Sequence, residues 1–479
     1  MRRLAPLALL LPLAALAGLP PRYGGDLGVA LPAAPANLDP ARLSDPSELE
    51  AARALHSTLV ETGPDGALRP ALLAALPEAE PGGRAFRLRL RPGLRFHDGR
   101  PLTAADVAAS LSRLLAPGTR SPHGWIALPV AGADDVREGR ASTLSGVQVV
   151  GELELRVALD LPFPEFPRAL AALPAAVVPR GGPVTTGAGP FRLASRGEGT
   201  LRLAAFDGYW RGRAYPDALS LSGMDARRAA RAFARGEVDL VVRPESASGA
   251  AARELPSTTA TYAVVNAKRL GRLAADLRHA LLALDRSELA RLGGRGHATP
   301  LAGLLPPSLL SGSPAPAPRA PARVAGNPKV ELLVAAGSDG NRALADRLQV
   351  KLFDHGVRAA VAVVAPEALA SRIASGSFDL AVVSLTFTSV GAQPALLEAA
   401  WALGGPQASR RALSRLSQAE PAAVAGELAE ELGVVPLFAA GLHASPRPGL
   451  LGLEVLPDAT VELGDLSVAP RPAREGRAP

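Results

Sequence analysis

Phe86-Arg87-Leu88-Arg89-Leu90-Arg91-Pro92-Gly93-Leu94-Arg95-Phe96-His97-Asp98-Gly99-Arg100-Pro101-Leu102-Thr103-Ala104-Ala105-Asp106-Val107 is the stretch of this 479-residue chain from which the rest is read. Phe86, Leu88 and Leu90 alternate with three arginines, the period-two pattern of a strand with one face buried. Pro92-Gly93 turns the chain, and His97-Asp98-Gly99 turns it again. Thr103 followed three residues later by Asp106 is a helix start in which each residue can satisfy the other's exposed donors. Val107, Leu111, Leu114 and Leu115 then recur at i, i+4, i+7 and i+8, so one face of that helix is buried.

Working outward, residues 26–31 read as a strand closed by Pro32, residues 35–40 as a loop and residues 47–59 as an apolar-faced helix. Two later segments resemble each other. Residues 225–235 form a helix that ends at Gly236 and leads through Asp239-Leu240 into a buried strand; residues 366–375 do the same through Gly376 and Asp379-Leu380. Both halves of the chain therefore carry the same kind of α/β unit. From Lys329 a β-α-β-α-β pattern is regular, with a helix over 342–353 and a strand over 357–364. The Pro/Ala-rich stretch 306–328 cannot sustain a helix or a central strand and reads as an exposed extended loop.

The first seventeen residues have the order of a secretory signal. Arg2 and Arg3 supply the positive end, residues 4–16 an apolar run too short to span a bilayer, and Ala15-Leu16-Ala17 the small residues of a cleavage site. The expected compartment is periplasmic, with a soluble mature protein and no membrane insertion after signal removal. No cysteine occurs anywhere, which excludes a disulfide, a thiolate metal site, a cysteine nucleophile and a cysteine-borne lipid anchor. About 460 mature residues exceed one hydrophobic core, so two large units are expected. The net charge of +7 comes from arginines dispersed among acids, without the basic run that nucleic-acid binding needs.

At His97 the reading acquires a family. The stretch 86–107 closely resembles the hallmark of the family 5 extracellular solute-binding proteins, the peptide, nickel and opine binders of ABC importers. Tyr23-Gly24-Gly25-Asp26-Leu27, Asn37-Leu38-Asp39-Pro40, Gly187-Ala188-Gly189-Pro190-Phe191 and Val434-Val435-Pro436-Leu437 agree in the family's order. The resemblance implies an α/β, two-lobed periplasmic-binding-protein-like fold of type II with an extra inserted subdomain and a ligand cleft between the lobes. On that plan 18–45, 160–260 and 433–479 build lobe I, 46–159 its inserted subdomain and 261–432 lobe II. The crossings between lobes are expected near Tyr262 to Asn266 and Val434 to Phe438. Ligand is held as the lobes close. The implied partners are a peptide or other small solute and the permease subunits of an ABC importer, with the protein itself a monomer.

Candidate ligand contacts follow from the crossing loops: Asn37, Asn266, Phe387, Thr388, Gln393 and His443. The loop 386–394 follows a buried strand at its carboxyl end, where α/β sheets usually bind ligands. It departs from the peptide-binder pattern, because Val390 stands where an acid would pair with a peptide's ammonium group. His97, Asp98 and Gly99 are assigned to structure. The seven histidines show no local ligand spacing, so no metal and no cofactor is expected. No Gly-x-Ser-x-Gly elbow, phosphate loop or His-Glu-x-x-His helix is present, so no catalytic residue is assigned and the chain is not read as an enzyme. The alternative is a diverged binding fold used for sensing or protein–protein interaction.

Overall fold

The computed structural model describes residues 21–244, 252–294, 297–311, 323–336 and 339–468. The signal segment and the middle of the Pro/Ala tract lie outside the described residues. Two large sheets organise the rest. In one, the spatial order is Arg253–Glu254, His443–Pro446, Leu240–Arg243, Asp26–Leu31, Ala218–Gly223, Thr200–Ala205 and Phe191–Gly197. In the other it is Ala298–Pro300, Val434–Ala440, Thr259–Val265, Leu380–Thr386, Lys329–Ala335 and Arg358–Val364. A third, four-stranded sheet joins Glu78–Ala79, Ala85–Arg89, Glu154–Ala158 and Val147–Gly151. The strand Val434–Ala440, expected in the first lobe's last piece, is hydrogen-bonded in the second sheet. It is buried throughout except at its last residue, so it reads as a central strand and not as a connection.

The repeated helix–Gly–Asp-Leu segment does the same work in both lobes. Gly236 and Gly376 both take the left-handed conformation that lets a helix end and turn back. Asp239 Oδ2 then accepts from the Gly28 N–H at 2.8 Å in the adjacent parallel strand, and its Oδ1 pairs with Arg447 at 2.9 Å. Asp379 Oδ2 accepts from the Glu331 N–H at 2.9 Å, and its Oδ1 pairs with Arg269 at 2.6 Å. Each carboxylate thus supplies the acceptor for a strand-end donor before the parallel ladder begins. Asp239 is 6% exposed, so its removal would strand a half-buried N–H and a half-buried guanidinium. Asp239→Ala is expected to cost about 2–3 kcal/mol in urea denaturation; a loss below about 0.5 kcal/mol would contradict this role.

The stretch 86–107 folds as its pattern requires. Phe86 and Leu88 are buried in the strand Ala85–Arg89, and Thr103 caps the helix Ala104–Arg113. Its N–H and hydroxyl both donate to Asp106 Oδ2, at 3.0 and 2.8 Å. Each fully buried apolar side chain here stabilises by roughly 1.5–3 kcal/mol. His97 clasps a segment some ninety residues away. Its N–H donates to the Gly187 carbonyl at 2.9 Å, and its Nδ1 accepts from the Gly187 N–H at 3.1 Å. Nε2 therefore carries the proton and donates to the Gly189 carbonyl at 3.2 Å. Burial lowers this imidazole to about 4 and keeps it neutral. Gly187 and Gly189 are glycines for space, since a Cβ at either would overlap the backbone at Leu55.

The helix expected over 47–59 ends at Leu55, and His56 is its cap. The His56 N–H donates to the Ala52 carbonyl at 2.8 Å, and its buried ring reaches the Leu38 carbonyl at 3.1 Å. A buried side chain fixed to a neighbouring loop stops this helix, which propensity alone does not show.

Candidate functional site

The two large sheets are joined by one antiparallel ribbon. Arg253–Glu254 of the first sheet leads through residues 255–258 into Thr259–Val265 of the second. Val434–Ala440 returns through residues 441–442 to His443–Pro446. The pairs Glu254 with His443 and Thr259 with Ala440 flank the crossing, and the Leu255 N–H donates to the Leu442 carbonyl at 2.8 Å. The crossings thus lie a few residues outside the expected positions near Tyr262 to Asn266 and Val434 to Phe438. Those residues are within the second sheet, where Tyr262 is fully buried and donates from its hydroxyl to the Leu304 carbonyl at 2.5 Å.

The strand Leu380–Thr386 runs towards this hinge, with Thr386 opposite Thr259. The next residue, Phe387, is buried and its N–H donates to the Thr258 carbonyl at 2.8 Å. Thr388 and Ser389 then fold onto one carboxylate, Glu398, in the helix Ala392–Leu416. Glu398 Oε1 accepts from the Thr388 N–H at 3.0 Å and its hydroxyl at 2.7 Å; Oε2 accepts from the Ser389 N–H at 3.2 Å and its hydroxyl at 2.7 Å. All three residues are buried. Charge-assisted hydrogen bonds are the strong ones, so this carboxylate fixes the loop's shape.

The facing surface comes from the segment that carries the four-stranded sheet. Gly124 sits so tightly under Trp401 that a Cβ at 124 would overlap the indole. Arg410 pairs with Asp134 at 2.8 Å, and the Arg168 side chain lies against Gly391. His123, 5% exposed, donates from Nε2 to the Leu43 carbonyl at 2.7 Å and turns Nδ1 towards Glu398 Oε1 at 3.7 Å. Leu43 follows the loop after the first strand, so three parts of the chain meet at this point.

The six residues expected to touch ligand divide by position. Phe387, Thr388 and Gln393 lie on this seam, Gln393 half-buried in the first turn of the helix. His443 is half-buried beside the hinge, opposite Arg243 and Glu254. Asn37 is half-buried and engaged in its own loop, with its amide donating to the Arg42 carbonyl at 2.8 Å and its oxygen accepting from the Asp39 N–H at 3.1 Å. Asn266 is at the far end of the second sheet from the hinge. There its amide donates to the Gly376 and Phe378 carbonyls, both at 2.8 Å, and its oxygen accepts from the Arg269 N–H. Val390 is half-buried on the seam. Glu398, His123 and Trp401 escaped the sequence reading, whereas Ser389 was reached only as part of the loop 386–394. Glu398 had one signal available, as the single acid in the apolar run Ala395-Leu396-Leu397-Glu398-Ala399-Ala400.

A second polar feature lies inside the first lobe. Two small cavities of about 20 Å³ each, room for a water, share Arg53, Glu61 and Glu462 in their walls. Burial outweighs the neighbouring Arg53 and raises the Glu462 carboxyl to about 7. Among the described residues no group of three or more His, Asp or Glu side chains converges as a metal site.

The family model for bacterial extracellular solute-binding proteins, family 5 Middle, matches residues 67–402. The chain belongs to this family. The family 5 fold is shared by the solved structure of the Escherichia coli murein tripeptide binding protein MppA, with a TM-score of 0.74, 19% identity and coverage of 93% of this chain and 99% of that one. Burkholderia pseudomallei OppA aligns with a TM-score of 0.75 at 18% identity, covering 94% and 100%. By sequence, the E. coli murein peptide-binding protein is 32% identical over 135 residues, 28% of this chain and 25% of that protein. A probable deoxycholate-binding periplasmic protein of E. coli is 31% identical over 177 residues, 34% and 33% of the two chains. A di/tripeptide-binding protein of Pseudomonas aeruginosa is 26% identical over 320 residues, 59% of each chain. The matched stretches thus span a quarter to a third of the first two curated relatives and about three fifths of the third. Among the described residues no helix is long and apolar enough to cross a membrane.

Proposed function

We propose that this family 5 chain is an extracytoplasmic, non-catalytic solute-binding protein. It captures an oligopeptide or similar polar solute between its lobes and delivers it to the permease of an ABC importer. The observation that carries the reading is the seam itself: a two-stranded hinge with the loop 387–391 beside it, facing the inserted subdomain. Closure follows solute because the closed state binds it more tightly than the open one. Family membership and the names of the relatives support the peptide class; the deoxycholate-binding relative keeps an amphipathic solute as the second reading.

Mass spectrometry of solute released from the purified protein, followed by thermal shift against di-, tri- and oligopeptides and deoxycholate, tests this. Solute at 100 times Kd stabilises by ~2.7 kcal/mol, a midpoint rise of roughly 5 °C or more for lobes of this size. A panel that shifts nothing, from a protein that releases nothing, would overturn it. Val390 supplies a sharper check. Val390→Asp restores an acid beside the hinge and is expected to tighten binding of free-amine peptides about tenfold or more, with N-acetylated peptides unchanged. Equal affinity for both forms before and after the change would show that this loop position does not face the solute's amino end.

A further inference from the structure

We infer that the outer face of the helix Ala226–Arg235 is a docking surface for an anionic phospholipid bilayer, which holds the protein loosely at a membrane whether or not solute is bound. The helix follows the strand Ala218–Gly223 and precedes Leu240–Arg243 of the seven-stranded sheet. Its inner side is small and apolar: Ala229, Ala232 and the half-buried Phe233 pack with Ala30, Val238 and Val241. Its outer side carries Arg227, Arg228, Arg231 and Arg235, all exposed. At 3.6 residues per turn these positions fall within about 100° of arc and about 12 Å of helix length. No other residue of the helix falls within that arc, and the exposed residues along its edge are Ala230 and Ala234. Nothing larger than a methyl group therefore stands between the guanidinium groups and a flat surface.

The charge of this face is only partly answered by its own acids. Asp225 caps the helix, its Oδ1 accepting from the Arg228 N–H at 2.8 Å, and Glu237 pairs with Arg235 at 2.6 Å. Among the described residues no acid lies within ion-pair distance of Arg227, Arg228 or Arg231. The comparable set on the helix Ala392–Leu416 is matched throughout: Arg410 pairs with Asp134, and Arg411 and Arg415 pair with Glu431. An unmatched row of guanidinium groups repels itself, and an outside array of anions relieves that. Guanidinium takes phosphate through two parallel N–H donors, and a bilayer rich in anionic lipid presents phosphates in one plane at the spacing of neighbouring headgroups. A protein partner is the poorer fit, because stable protein interfaces centre on aromatic and apolar anchors and this face exposes only arginine and alanine.

The mature protein from Gly18 is sedimented with vesicles of phosphatidylcholine, alone or with about one-third phosphatidylglycerol, at about 50 mM and about 500 mM NaCl. Retention is expected on the anionic vesicles alone and is expected to vanish at the higher salt. The triple variant Arg227→Gln, Arg228→Gln, Arg231→Gln is expected to lower partitioning roughly a hundredfold, about fivefold for each arginine brought to an anionic surface. The triple variant Arg192→Gln, Arg291→Gln, Arg358→Gln removes the same charge from exposed positions on three other elements and is expected to keep most of the retention. Melting curves confirm that both are folded; if the first is not, the double variant Arg227→Gln, Arg231→Gln decides. Equal retention on the two lipid compositions, or an equal loss in the two triple variants, overturns the docking face. Retention on immobilised polyglutamate or duplex DNA through the same three arginines, with none on vesicles, also overturns it, in favour of an acidic protein or a nucleic acid. Titration with di- and tripeptides is expected to give the same result in the parent and both variants. A failure of solute capture in all three therefore counts against the capture reading and not against this face.

Discussion

Gly189→Ala is expected to lower the midpoint of thermal unfolding by roughly 6–12 °C, the equivalent of about 3 kcal/mol in a unit of 150–250 residues. A Cβ at 189 would lie 2.5 Å from the Leu55 carbonyl carbon, 2.6 Å from the His56 nitrogen and 2.8 Å from the Ala54 oxygen. All three are backbone atoms at the end of the helix Pro46–Leu55, so no side chain can swing aside. The same movement would pull the Gly189 carbonyl off His97, which joins residues 86–107 to residues 187–189. Gly118→Ala is the control, since a Cβ there meets nothing within 4 Å. Differential scanning calorimetry of the two variants decides; a Gly189→Ala protein melting within 1 °C of the parent would contradict the close packing argued here.

Glu462→Gln is expected to stabilise the protein at pH 8 by about 2–3 kcal/mol and to change little at pH 4.5. The sign follows from the carboxyl being raised to about 7, above its ordinary 4.5, chiefly by burial. The fold holds the protonated form, so the native state's advantage is complete below 4.5 and is lost as pH rises through 7. An amide keeps the shape of the protonated acid without the ionisation. The buried His56 imidazole is lowered by burial to about 4 and acts in the opposite sense; its contribution is present above 6.5 and lost as pH falls towards 4. Urea denaturation at pH 4.5, 6 and 8 measures both limbs. A Glu462→Gln gain that is the same at all three values would show that its origin is packing and not ionisation.

Much of this architecture was legible because it rests on local rules. The alternation at Phe86, Leu88 and Leu90, the Thr103–Asp106 start and the paired Gly236 and Gly376 ends state their own geometry. The Asp-Leu repeat was visible too, although that each Asp serves a neighbouring strand's N–H depends on a pairing of distant strands. The crossings were misplaced because a central strand and a connecting segment can share the apolar run Thr261-Tyr262-Ala263-Val264-Val265; only the partners on both sides tell them apart. The seam was half legible. Loop 387–393 could be placed from the strand before it, but its organiser Glu398 lies on a helix and its neighbour His123 some 275 residues away. Asn37 and Asn266 were attractive as polar residues at element ends. In the fold the same chemistry is spent on a loop and on a helix start.

Whether a solute is held between these lobes decides the proposed function. Isothermal titration of the purified protein at pH 7 with dipeptides, tripeptides, pentapeptides and deoxycholate, followed by recovery of the titrant, addresses this directly. Saturable one-to-one binding of at least one member is expected, with that member returned chemically unchanged when the protein is denatured. Heats indistinguishable from dilution for every member, or a titrant recovered altered, would contradict it.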